Sequence, residues 1–119
     1  MKVIYIAGRY RDERGEFYVR CNIREAERAA LFVWRYGGAA LCPHKNTAGL
    51  GGALGLPDSV WLEGDLEILR RCDALWAIPG WESSTGATHE VAEAQRLGIP
   101  VLLSHGDVLR YLDSLDSLT

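Results

Sequence analysis

Four short apolar runs, each followed by a stretch with helical periodicity, constrain this chain more than any other feature. The runs are KVIYIAG at the start, AALCP from Ala39, DALWAI from Asp73 and IPVLLS from Ile99. Each is rich in aliphatic or aromatic residues and stops at Gly, Pro or Ser, as buried strands do. Between them the apolar period changes to that of a helix. Asn22 is placed to cap a helix in which Ile23, Ala26, Ala30, Leu31 and Trp34 recur, ended by Gly37-Gly38. Asp58 caps a second, with Val60, Leu62, Leu66 and Leu69 as its apolar positions, and a third runs from about Thr85 to Leu97 with Gly98 as its stop. GDVLRYLDSL closes the chain as a fourth helix.

Regular alternation of strand and helix predicts an α/β fold with a parallel sheet covered by helices on both faces. The expected architecture is one domain over residues 1–119, a Rossmann/flavodoxin-like three-layer sandwich with a short, mostly parallel sheet of about four to five strands. With 119 residues, 48% hydrophobic and 24% charged, the chain can bury a core without disulfides or a structural metal. Ligands of such sheets bind beyond the carboxyl ends of the strands, where strand order reverses. The loops there are Arg9–Arg20, the Gly-rich Pro43–Pro57 and Pro79–Ser84.

Charge narrows the partners. The net charge of −3 argues against a nucleic acid polymer. Arg9, Arg11, Arg14 and Arg20 nevertheless crowd the first loop, so a local anion site is expected within an acidic protein. Three widely spaced cysteines suit a reducing compartment better than a disulfide framework. Cys42 and His44 stand two apart, but no second ligand pair accompanies them, so no metal or other cofactor is expected. The first apolar run is too short for a signal peptide and no run of 18 apolar residues occurs, so a soluble cytoplasmic protein with no membrane partner is expected.

The candidate chemistry lies in the three loops. Ser83-Ser84-Thr85-Gly86 opens the third helix, where unpaired amides and the helix dipole suit a phosphate or carboxylate. An ordinary serine cap is the alternative, but Gly86 in the first turn costs about 1 kcal/mol relative to Ala and calls for a reason. Glu90 follows six residues after Ser84, roughly 9 Å along the axis, bordering the face formed by Ala87, Val91 and Ala94. A solvated acid is its alternative. Asp65 on the second helix faces the cleft or solvent, and Asp73 opens a strand as a turn or cap residue. His44 sits at a strand end as a ligand contact or a plain loop residue. Trp81, just before the amide turn, offers an indole for stacking on a flat base.

These pieces, in order, resemble a known family. EGDLEILRRCDALWAIPGWESSTGATHEVAEAQRLGIPVLL is similar to the second half of the nucleoside 2-deoxyribosyltransferase superfamily, which includes the 2′-deoxynucleoside 5′-monophosphate N-glycosidases. The shared pattern is an acid on the penultimate helix, D-A before an apolar strand, S-x-G-x-x-x-E, and G-I-P-V. VIYIAGRYR resembles the family's first strand and phosphate-side loop, and CPHKNT a small, often phage-encoded branch. The resemblance implies Glu90 as a nucleophile at C1′ of the sugar and Asp65 as the acid that positions the sugar or handles the base's proton. It implies Ser84 and Gly86 at the 5′-phosphate and places Arg9 in a loop that contacts substrate; Gly8, Tyr10, His44, Trp81 and Ser83 complete the expected substrate-binding set. It also implies a small nucleotide or nucleoside as partner, no cofactor, and a homodimer or larger homo-oligomer. The function expected is cleavage or transfer at the N-glycosidic bond of a (deoxy)nucleoside 5′-monophosphate. The alternative is a non-catalytic nucleotide-binding or sensor module on the same fold. PG…G…E is also similar to the turn of phosphoribohydrolases, although Trp81 replaces that motif's second glycine.

Overall fold

The computed structural model describes residues 1–46 and 53–116. Its centre is a four-stranded, wholly parallel sheet in the order β2-β1-β3-β4, built from β1 (Val3–Ala7), β2 (Ala39–Leu41), β3 (Ala74–Ala77) and β4 (Val101–Leu102). The helices are α1 (Glu16–Arg35), the single turn α2 (Pro43–Asn46), α3 (Asp58–Leu69), α4 (Thr85–Leu97) and α5 (His105–Asp116). The α/β alternation read from the apolar runs is therefore the observed architecture.

Successive side chains of a strand point to opposite faces, and that period divides the core in two. Ile4, Ile6, Trp76 and Leu102 face α1 and α5, meeting Ala26, Ala29, Val33, Val108 and Leu112. Tyr5, Ala7, Leu75 and Ala77 face the other way, meeting Leu69, Val91 and Ala94 of α3 and α4. β3 is buried along its whole length, as a central strand of a doubly covered sheet must be. Among the described residues no helix is long and apolar enough to cross a membrane.

Three expectations are corrected. α1 begins at Glu16, not near Asn22. Asp12 accepts hydrogen bonds from the Arg14 amide and guanidinium while its carbonyl accepts from Gly15 N, and Gly15 takes φ 118°, so the loop turns early. Asn22 lies inside the helix, where its amide donates to the Tyr10 carbonyl. The buried stripe of α1 is Ala26, Ala29 and Val33, whereas Leu31 and Trp34 are 66% and 55% exposed. Small residues let the helix sit close to the sheet, which rotates the larger ones outward. On α3 only Leu69 is fully buried, Leu66 packs against the core, and Val60 is exposed. Within the Gly-rich stretch the chain forms α2 and a 3-10 turn at Ala53–Gly55, while residues 47–52 lie outside the described residues.

Strand order reverses between β1 and β3, the place where open α/β sheets bind ligands. The segments leaving the carboxyl ends of these two strands define the mouth of a cleft. Gly8 allows them to approach, since a Cβ there would lie 2.6 Å from Ile78 Cγ1.

Candidate active site

The cleft has a volume of about 1000 Å³ and is walled by the β1–α1 loop, α2, one face of α3 and the start of α4. Of the ten residues singled out in the sequence, nine line it: Gly8, Arg9, Tyr10, His44, Asp65, Ser83, Ser84, Gly86 and Glu90. Trp81 is not brought to the cleft. Its indole packs against the core cluster beneath α4, so the stacking role expected for it has no basis in the fold.

The first turn of α4 forms one end. Ser84 is the N-cap, and its hydroxyl accepts from Ala87 N at 3.1 Å. The Ser83 hydroxyl donates to the Gly80 carbonyl at 2.9 Å. Both serines thus shape the turn. The first intrahelical bond runs from Thr88 N to Ser84 O, so the amides of Thr85 and Gly86 precede it. A Cβ at Gly86 would find its nearest neighbour, Ser84 Oγ, 4.0 Å away, so the position opens on free space.

The arginines expected to gather there are mostly engaged. Arg14 is held by Asp12 through Nε at 2.8 Å and a terminal nitrogen at 2.7 Å. This bond, with the nearby arginines, holds the Asp12 carboxyl far below the usual carboxylate range. Arg20 lies on α1, 4.0 Å from Glu16. Arg9 reaches Asp12 at 3.8 Å, and Arg11 bridges the mouth of the cleft to Asp58 at 2.5 Å. Arg9 and Arg11, but not Arg14 or Arg20, line the cavity.

The other end is carboxylic. Glu90 is 7% exposed, and its Oε2 accepts the phenolic hydrogen of Tyr5 from β1. Burial, with help from the Asp65 charge, pushes the Glu90 carboxyl up to about 8, opposed by the Tyr5 hydrogen bond. Burial alone pushes Asp65 up to about 6. The same surroundings, burial first and the two carboxyls after it, hold the Tyr5 hydroxyl protonated far above its ordinary range. His44 is 6% exposed, and its Nε2 lies 2.9 Å from the Arg9 carbonyl. A carbonyl only accepts, so this nitrogen carries the hydrogen. Burial lowers the imidazole's proton affinity and keeps it neutral. Among the described residues no cluster of His, Cys, Asp and Glu is arranged to hold a metal.

Sequence reading missed Tyr5, taken there only as part of an apolar strand. The available signal was its hydroxyl, because a buried tyrosine needs a hydrogen-bond partner. Of the cleft face of α3 it found Asp65 but missed Asp58, Trp61 and Leu62. Asp58, Trp61, Leu62 and Asp65 all line the cavity, and their i, i+3, i+4, i+7 spacing is that of a single helix face.

Comparison with known proteins agrees with the architecture. A solved 2-deoxyribosyltransferase from the psychrotolerant bacterium Bacillus psychrosaccharolyticus superposes with a TM-score of 0.61 at 20% identity, covering 83% of this chain and 69% of that one. At that identity the likeness establishes a nucleoside 2-deoxyribosyltransferase-like fold and no more. No curated protein sequence matches the chain. A family model described as a domain of unknown function, DUF7768, matches residues 2–104, and the chain belongs to that family.

Proposed function

We propose that this protein cleaves or transfers the N-glycosidic bond of a (deoxy)nucleoside 5′-monophosphate, with Glu90 as nucleophile and Asp65 as the acid serving the base. The observation that carries the reading is the buried Glu90 carboxyl on the cleft wall, held by Tyr5 and facing the same cavity as Asp65 and the amide turn of α4. Cleavage gives the sugar oxocarbenium character, and a carboxylate beside C1′ stabilises or captures it. The bond from C1′ to the base breaks, and its electron pair leaves with the base nitrogen, which takes the Asp65 proton. A Glu90 oxygen bonds to C1′ until water or a second base displaces it. Binding the phosphate at the α4 turn orients the sugar for this step.

The two carboxyls titrate as a pair. Between about 6 and about 8 the pair holds one proton, which rests mainly on Glu90, and the reactive form is the minor one that has it on Asp65. A bell-shaped pH profile of kcat/KM with limbs in that window is expected. A single limb rising towards pH 8 would leave Asp65 a positioning role only.

One observation favours a second reading, a binding module without catalysis. A Glu90 carboxyl that keeps its proton at neutral pH also suits hydrogen bonding to a sugar hydroxyl. A panel of nucleoside and deoxynucleoside monophosphates, followed by chromatography, separates the two. Free base is expected; tight binding with no base released supports the module instead.

A further inference from the structure

We propose that Trp61 is the platform on which the base of the bound nucleotide stacks, a base-holding contact that rests on the nucleotide reading of the cleft. Trp61 stands on α3 one turn before Asp65, and both line the cavity. Residues four apart on a helix share a face, so the indole flanks the carboxyl that serves the base.

The indole's own chemistry points to stacking rather than hydrogen bonding. Trp61 is half-buried, yet its Nε1 is sealed from solvent and has no partner among the described residues. What it offers the cleft is therefore ring carbon. Leu62 beside it on the same wall adds apolar surface. The other aromatic groups of the cleft are already engaged. Tyr10 packs edge-on against His44 at 5.6 Å, and His44 is tied to the Arg9 carbonyl. Trp61 makes no ring contact among the described residues. A cleft with amides at one end and an unstacked indole beside an acid at the other fits a ligand with an anionic tail and a flat aromatic head. Stacking tolerates every base because each has a π face. Trp61 should therefore strengthen binding of all four bases by similar factors.

The test uses calorimetric titration with the four 2′-deoxynucleoside 5′-monophosphates and with base-free 2-deoxyribose 5-phosphate, in a Glu90→Gln background that keeps the nucleotides intact. Trp61→Leu should weaken every nucleotide about 5- to 150-fold, the range of one lost base–aromatic stack, and leave the sugar phosphate unchanged. Trp61→Phe should recover most of the loss. Circular dichroism melts confirm that each variant is folded. Parental nucleotide affinity in Trp61→Leu, equal loss for the sugar phosphate, or no nucleotide binding in the background would each overturn the platform. Base release by the unmodified protein is measured separately. Nucleotide binding that depends on Trp61, with no base released, sinks the glycosidase chemistry and leaves the platform standing.

Discussion

The two faces of the sheet solve different problems with adjacent residues. Ile4 and Ile6 of β1 turn towards α1 and α5, where the buried neighbours are aliphatic or aromatic. Tyr5, between them, turns towards α3 and α4 and meets a buried carboxyl. The first face is built for packing, with Ile6 alone of these two isoleucines reaching the cleft wall. The second retains a protonatable group in a place where burial penalises charge, and it opens at the strand ends into the cleft. A core can thus carry aliphatic packing on one side and a buried carboxyl on the other, with a period of two along one strand keeping them apart.

Substitutions sharpen that contrast. The largest effect is expected from Glu90→Ala, which removes the proposed nucleophile: base release should fall by roughly 10³-fold or more, measured by chromatography. Unchanged release would remove Glu90 from the chemistry.

Next come Ile4→Ala and Tyr5→Phe, neighbours on opposite faces. Ile4→Ala should lower stability by about 2–5 kcal/mol in denaturant titrations while the folded protein keeps its kcat/KM. Tyr5→Phe should lower stability less, by about 1–3 kcal/mol for an unsatisfied buried partner. Because the Tyr5 hydrogen bond lowers the Glu90 pKa, its loss should also move the upper limb of the pH profile to higher pH. Identical behaviour of the two variants would erase the division between the faces.

Stability itself should depend on pH through the second face. Glu90 titrates near 8 when folded, against an ordinary 4.5. Between those values the native state holds a proton that the unfolded chain has released. The Glu90 contribution, on the order of 3–5 kcal/mol, is therefore fully present below pH 4.5, declines as pH rises towards 8 and is lost above. Asp65 adds a change of the same sign that ends near pH 6. Glu90→Gln should abolish the decline between 6 and 8 in chemical denaturation; a slope that persists there would place its origin in another group.

The smallest effect is expected from Gly86→Ala. The helix gains up to about 1 kcal/mol because the added methyl meets no close contact. The same methyl projects beside the amides of the first turn, so phosphorylated ligands should weaken more than nucleosides. Equal affinities would mean that the phosphate does not approach this backbone.

Much of this was legible in the residue order. The four strands, the alternation and the limits of α4 follow from apolar runs, a serine cap and a terminal glycine, all signals that act over a few residues. Glu90 could be placed at the buried border because Ala87, Val91 and Ala94 define the face beside it. The start of α1 was not legible, because the turn that sets it depends on Asp12 gathering Arg14 and Gly15. The position of Trp81 was not legible for a related reason. Proximity along the chain put Trp81 beside the amide turn, yet it is partly buried against the core, and Trp61 from another helix lines the cavity instead.

By itself, then, the sequence determined the layers, the direction of the strands and the end of the sheet where a ligand would lie. These follow from local periodicity and short-range capping. Only the tertiary structure decided that Tyr5 and Glu90, 85 residues apart, are hydrogen-bonded, that the first-loop arginines are mostly spent on nearby carboxylates, and which tryptophan lines the cleft. Such contacts depend on how helices rotate against the sheet to bury small residues, and no local pattern carries that rotation.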